Sequence, residues 1–256
     1  MTLMTKILTA AGAAVLMLAP PVQAEEFSAR QKSEIELVIK NYLVNHPEVL
    51  QDAMTELEKR QAAAELEKTK TFISSNAATL FNSNRQIVLG NPSGNVTMVE
   101  FFDYNCGYCK RAMADMLDLL KTDPNLRIVL KEFPVLGPGS VEAAKVAVAV
   151  RMQGKDSAKY LEFHQKLLGG RGQADKARAL AAARETGFDV ARIEADLENP
   201  EVKASLEETL KLGEQLGLNG TPSYVVGSDV VVGAVGLDAL RGKISTARCG
   251  KAQCEG

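Results

Sequence analysis

The sequence predicts an α/β domain interrupted by a run of helices and preceded by a helical extension. Three observations carry this. A β-rich run, Val96 to Phe102, meets a Cys-x-x-Cys pair and then a helical stretch. A span of about 75 residues between Gly139 and Leu216 is rich in Ala, Leu, Glu and Lys. Two further β-rich runs then precede a last helical segment. The chain has 256 residues, 46% of them apolar, enough for an ordinary core and a small extra module. Its formal charge of −2 lacks the basic excess that nucleic-acid binding calls for, and its composition is not that of a disordered chain.

Residues 1–24 read as a secretory signal, with Lys6 as the basic region, Ile7 to Ala19 as the apolar stretch and Val22-Gln23-Ala24 as the small-residue cleavage site. The same stretch can be read as an uncleaved anchor, but its apolar run falls short of the roughly 20 residues a spanning helix needs, and Pro20-Pro21 ends it. The mature chain is expected to start at Glu25. No later segment is long and apolar enough to span a membrane.

Residues 25–81 are assigned to a helical segment and linker. Ile35, Val38, Ile39, Tyr42 and Leu43 form one apolar stripe, His46-Pro47 interrupts it, and Leu50, Ala53, Met54, Leu57 and Ala64 form a second. Two short amphipathic helices with no sheet to cover them need a partner surface, either the catalytic domain or another copy of this chain. The charged residues between Glu56 and Lys70 read as a solvated face. A short helix is expected over Thr71 to Phe81, and Gly90-Asn91-Pro92-Ser93-Gly94 is a turn.

The catalytic domain is placed at residues 82–246. Val96 to Phe102 and Ile128 to Phe133 are its first strands, joined by a helix through Lys110, Met113, Met116, Leu117 and Leu120. The helical insertion covers about 139–216, Ser223 to Val226 and Val230 to Val232 form a late strand pair, and Leu237 to Thr246 is a closing helix. Residues 247–256 form a polar tail containing Cys249 and Cys254. That pair reads as a structural disulfide, the alternative being a second redox or metal-binding pair.

Cys106-Gly107-Tyr108-Cys109 carries the candidate chemistry. The spacing serves a redox pair or half of a zinc site, but the other candidate ligands, Cys249, Cys254, His46 and His164, fall at no familiar zinc-ribbon spacing. His46 reads instead as a helix-junction residue and His164 as part of an insertion helix. A cysteine between strand and helix meets unpaired N–H groups and the positive end of the helix dipole, which favour a thiolate. Cys106 is the expected nucleophile. Cys109, one turn in, is the expected resolving thiol. Gly220-Thr221-Pro222-Ser223 stands immediately before the late strand, and Glu100 lies inside an otherwise apolar one, where a carboxylate is costly.

Taken together, Glu100-Phe101-Phe102, the Cys106–Cys109 motif, Gly220-Thr221-Pro222 and the helical insertion resemble the DsbA-like family of bacterial periplasmic thiol-disulfide proteins, over roughly residues 82 to 246. The extension before them is similar to the oligomerisation segment of the ScsC and Com1-like branch. The resemblance implies a thioredoxin fold, a cis-proline at Pro222 beside Thr221, and a buried acid at Glu100 with a lysine on the adjacent strand, here Lys131. With a raised pKa, Glu100 would then manage the proton of Cys109; the alternative, that it points to solvent from an edge strand, sits poorly with a run as apolar as VTMVEFF. Gly107-Tyr108 and Thr221 are similar to the isomerase DsbC rather than to the Pro-His of the oxidase.

The leading expectation is a periplasmic disulfide isomerase or reductase that needs no cofactor. It would act on exported cysteine-containing proteins, be kept reduced by a membrane thiol reductant, and form a homo-oligomer through residues 28–70. The rivals are a monomeric thiol oxidase and a copper-tolerance protein that holds Cu(I) on Cys106 and Cys109, because two nearby thiolates suit that ion.

Overall fold

The computed structural model describes residues 27–154 and 156–254; the expected signal segment, residues 1–24, lies outside them. The chain divides into two compact units, the second beginning at Arg60. The helices are α1 (Ala29–Asn45), α2 (Pro47–Ser75), α3 (Ala77–Asn82), α4 (Gly107–Thr122), α5 (Pro138–Met152), α6 (Ser157–Gly169), α7 (Lys176–Glu185), α8 (Val190–Asp196), α9 (Pro200–Gln215) and α10 (Leu237–Cys249). The strands are β1 (Ile87–Gly90), β2 (Val96–Phe102), β3 (Leu126–Glu132), β4 (Ser223–Val226) and β5 (Asp229–Val232).

In the first unit, α1 begins with a reciprocal capping box between Ser28 and Gln31. His46 closes it, its ring tilted against that of Tyr42 with centroids 4.7 Å apart, and Pro47 starts α2 at a position where its missing N–H costs nothing. No residue of α1 is buried, and Ile35, Val38, Ile39 and Tyr42 stand exposed at helical spacing.

The second unit is built on a five-stranded sheet of order β1-β3-β2-β4-β5, in which β2 and β3 are parallel and the other pairs antiparallel. Alternation along the strands sends side chains to two faces. Met98, Phe102, Ile128, Leu130, Tyr224 and Val226 meet α4, α5, α6 and α10. Val99, Phe101, Val129, Phe133 and Val225 meet Ile73, Leu80, and Leu212 and Leu216 at the C-terminal end of α9. The helices α5 to α9 form the insertion between β3 and β4. Four of them open on short polar caps, Asp156, Asp175, Asp189 and Asn199, each accepting at least one N–H of the first turn.

Three elements differ from the sequence reading. The short helix expected over Thr71 to Phe81 is instead the end of α2, a break at Asn76, and α3. Asn76 donates both its backbone N–H and its side-chain amide to the Phe72 carbonyl, which ends the longer helix. β1 was not expected; it has four residues and ends in a glycine, too short to show a period. The polar tail also begins later, because α10 continues to Cys249 and is closed by Gly250 in a left-handed conformation at φ 77°. Cys249 and Cys254 form a disulfide.

Candidate active site

β2 ends at Phe102, and Asp103-Tyr104-Asn105 carries the chain from the sheet to α4. The Cys106 N–H donates to the Asp103 carbonyl at 3.0 Å, which turns the backbone so that Cys106 caps α4. Its Sγ accepts the N–H of Cys109 at 3.2 Å and, as a thiol, donates to the Thr221 carbonyl at 3.1 Å. The Thr221–Pro222 peptide is cis, and the Pro222 carbonyl accepts the N–H of Gly233 at 2.8 Å. Cys106, Cys109, Thr221 and Pro222 are therefore gathered at one point, where the start of α4 meets the start of β4.

Both cysteines are free thiols. Cys106 retains 6% exposure, whereas Cys109 is fully enclosed. Burial pushes the Cys109 thiol upward against a lowering hydrogen bond from the Asp103 backbone, and negative charge at Glu100 adds to the rise.

Glu100 is buried on the same sheet face as Met98 and Phe102. Burial, followed by the like charge of Asp115, pushes its carboxyl up to about 8. Lys131, the lysine expected on the adjacent strand, is buried there but does not meet Glu100. In the β2–β3 register Glu100 lies opposite Leu130, and Lys131 lies opposite Phe101 on the other face of the sheet. There the Lys131 amine donates to the Thr79 carbonyl at 2.8 Å and faces Glu208 at 3.7 Å. Burial pulls that amine down to about 8, with Glu208 opposing the shift. Neighbouring strands bring two residues together only when their parity matches.

Sequence reasoning did not single out the residues that hold this turn in place. The buried Asp103 carboxylate accepts the Asn105 N–H at 2.8 Å, the Ser140 hydroxyl at 2.7 Å, and the N–H groups of Val135 and Leu136 at 2.9 and 3.0 Å. The Asn105 amide pairs with both backbone groups of Ala174, at 2.7 and 2.8 Å. Tyr104 reaches His164 at 3.4 Å and Tyr160 at 3.5 Å, and Tyr160 donates to the buried Glu132 at 2.6 Å. The available signal was an Asp-x-Asn step directly after a strand, a composition that favours side-chain-to-backbone turns.

The two histidines take the places expected of them. His46 caps α1, and His164 lies in α6, where burial lowers its imidazole to about 3. Two exposed apolar groups belong to the surrounding elements: Tyr108, 59% exposed beneath the Arg111 guanidinium in the first turn of α4, and the pair Val135 and Leu136, whose backbone N–H groups donate to Asp103. Among the described residues no cluster of three or more His, Cys, Asp or Glu side chains could hold a metal ion. Among them, too, no helix is long and apolar enough to cross a membrane.

Comparison with known proteins follows the same lines. Residues 97–245 match the DSBA-like thioredoxin domain, and residues 31–64 match the N-terminal domain of the copper resistance protein ScsC. A thioredoxin-like oxidoreductase from Silicibacter pomeroyi is 46% identical, covering 67% of this chain and 96% of that one, with a TM-score of 0.63. The thiol-disulfide exchange protein α-DsbA2 of Wolbachia pipientis is 29% identical, covering 71% and 97% with a TM-score of 0.65. Proteus mirabilis ScsC, in a transitional conformation, is 26% identical and covers 88% and 98% with a TM-score of 0.63. The curated relatives are Na(+)/H(+) antiporters NhaA, the one from Salinispora arenicola being 27% identical over 169 residues. This chain spans about a quarter of its length. The strand–cysteine–helix turn, the Thr221–Pro222 loop beside it and a family match over more than half the sequence lead to one assignment: the chain belongs to the DsbA-like thioredoxin family of thiol-disulfide oxidoreductases.

Proposed function

We propose that this oxidoreductase is a periplasmic protein disulfide isomerase and reductase working through Cys106 and Cys109. The observation that carries the reading is the placement of the Cys106 sulfur, which caps α4, accepts the Cys109 N–H and lies 3.1 Å from the Thr221 carbonyl. DsbA-like oxidoreductases use their own thiols and need no cofactor. The Cys106 thiolate attacks a substrate disulfide, forming a mixed disulfide and releasing one substrate thiolate. In isomerisation that thiolate attacks a second substrate disulfide, and the newly freed thiolate then displaces Cys106. In reduction Cys109 attacks instead, and both electrons pass to the substrate as the Cys106–Cys109 disulfide closes. Turnover then requires a reductant, for which a membrane thiol donor is the proposed partner. Thr221 and Pro222 offer backbone to an extended substrate, and the exposed Tyr108, Val135 and Leu136 offer it an apolar surface.

Glu100 is assigned the proton of Cys109. A fully enclosed thiol with a raised pKa needs a nearby base before it can attack, and a carboxylate that ionises near 8 fits that role. Export through the signal read over residues 1–24, and self-association through residues 28–70, complete the proposal. The match of residues 31–64 to an ScsC N-terminal domain supports the second part.

Recovery of activity from a scrambled-disulfide protein, compared with oxidation of the fully reduced one, tests the isomerase against the oxidase. Cys109→Ser is expected to accumulate a mixed disulfide at Cys106, visible by mass, and Cys106→Ser to form none. A Cys106→Ser protein that still exchanges would overturn the assignment.

Binding of Cu(I) by Cys106 and Cys109 is a second reading, favoured by their side-by-side free thiols and by the copper-resistance domain match. Cu(I) titration of the protein and of the Cys106→Ser, Cys109→Ser double variant tests it. Equal stoichiometry and affinity in the two would remove the pair as ligand.

A further inference from the structure

We infer that Asp103 is a positioning residue, setting the exposed Val135–Leu136 edge in register with the Cys106 sulfur so that an incoming polypeptide is aligned with the atom that attacks it. The inference rests on the proposed reading of Cys106 as the attacking sulfur.

One buried carboxylate, 2% exposed, does two jobs of alignment. On the cysteine side, the Asp103 carbonyl receives the Cys106 N–H, and Oδ1 receives the N–H of Asn105, which fixes the turn that presents the sulfur. On the other side, Oδ2 receives the N–H groups of Val135 and Leu136, and Oδ1 also receives the Ser140 hydroxyl at the start of α5. All four donors to the carboxylate, three backbone N–H groups and one hydroxyl, are neutral, so it is held in place by hydrogen bonds to a fixed constellation and not by a single cation. Hydrogen bonds to an ionised acceptor are shorter and stronger than neutral ones, and they keep their geometry.

The loop secured in this way displays apolar side chains outward. Phe133 and Pro134 are buried, yet the next two residues are 44% and 52% exposed. A tether serving stability alone has no need to hold Val135 and Leu136 in water, where each forgoes apolar burial. Presentation of that edge to a chain docked beside Cys106 accounts for both the tether and the exposure. Asn105 makes the corresponding attachment toward Ala174 and shares Ser140 with Asp103, so the turn before Cys106 is gripped from two sides.

The test compares two disulfide substrates in the full-length protein: a polypeptide with apolar residues flanking its cystine, and free cystine, which carries no flanking residues for the Val135–Leu136 edge to hold. Asp103→Asn turns an amide toward groups that are all donors. It is expected to lower kcat/KM for the polypeptide about ten-fold more than for cystine, with the difference residing in KM. Ser140→Ala, which removes one donor and keeps the carboxylate, is expected to shift the same ratio about two-fold. Adding Asp103→Asn to a Val135→Ser, Leu136→Ser background should produce no further loss of selectivity, because the edge being aligned is already gone. Equal losses on both substrates, an unchanged ratio, or fully additive effects in that background would each overturn the positioning role. If Asp103→Asn fails to fold, Ser140→Ala decides the matter by the same ratio. Failure of the Cys106 reading is separately visible, since Cys106→Ser would then retain exchange with cystine.

Discussion

A carboxyl group buried in the middle of a strand holds its proton through neutral pH, and this makes Glu100 the most informative single residue outside the cysteine pair. Its folded value, about 8, lies well above the ordinary 4.5, so the unfolded chain gives up this proton first. Stability from this group is therefore present below pH 4.5 and is lost as pH rises toward 8, at about 1.4 kcal/mol per pH unit in the single-group limit. His164 acts in the opposite sense. Lowered from 6.5 to about 3, it contributes stability above 6.5 that is lost as pH falls. The two slopes oppose one another between 4.5 and 6.5, so the Glu100 signature is clearest between 6.5 and 8. Urea unfolding of the protein and of Glu100→Gln across that range should show the variant gaining relative stability as pH rises. A constant difference would mean that Glu100 does not carry the shift. In exchange assays the same variant should slow the Cys109 step about ten-fold or more, as the loss of a general base does, and should lose the rate change near pH 8. Glu100 was legible in the sequence as an acid within VTMVEFF, and Lys131 by resemblance as a lysine on the adjacent strand, but their placement on opposite faces of the sheet was not. Whether Lys131 meets Glu100 depends on which face each residue takes in a pairing register, and no property of either strand alone sets that register.

At the scale of elements, strongly patterned segments were readable and short or tertiary-dependent ones were not. β2 occupies the run expected of it, β3, β4 and β5 fall within two residues of theirs, and α4 contains the stretch from Lys110 to Leu120 expected to be helical, because their apolar spacing is clear and Gly or Pro bounds them. β1 escaped notice because a four-residue edge strand derives its stability from pairing with β3. The Asp103 and Asn105 tethers escaped notice because their partners lie 32 to 69 residues away. The turn after β1 was visible as a Gly-rich stretch, and the structure explains its first glycine. Gly90 has φ +72°, and a Cβ there would stand 2.6 Å from the Leu126 carbonyl oxygen. Gly90→Ala must move backbone at the start of β3, and a loss of about 1 to 3 kcal/mol is expected from the strain. Equilibrium urea unfolding checks this. A loss below a few tenths of a kcal/mol would show that the close approach of β1 to β3 can relax.

The two units of the whole molecule differ in how they satisfy their apolar side chains. The second unit encloses large hydrophobic clusters on both faces of its sheet, whereas α1 buries no residue and exposes Ile35, Val38, Ile39 and Tyr42 at the spacing of one helical face. A stripe of that kind on a capped helix is the usual form of a helix–helix interface, and residues 31–64 match the ScsC N-terminal domain. Association through it would tether several Cys106 sites at a raised effective concentration. That favours repeated attack on one scrambled substrate over single encounters with many. Ile35→Glu with Ile39→Glu places charges on the stripe while keeping good helix formers, so α1 should survive the change. The native mass is expected to fall to that of one chain, and recovery of a scrambled-disulfide protein to drop about ten-fold or more through lost multivalency. Exchange with cystine, which one site performs alone, should continue at its original rate. Two results would sink the idea: a single-chain mass for the unsubstituted protein, or a dissociated variant that isomerises as well as its parent. In either case the exposed stripe would be unconnected with the choice between isomerase and oxidase, and that choice would have to reside in the surroundings of Cys106 itself.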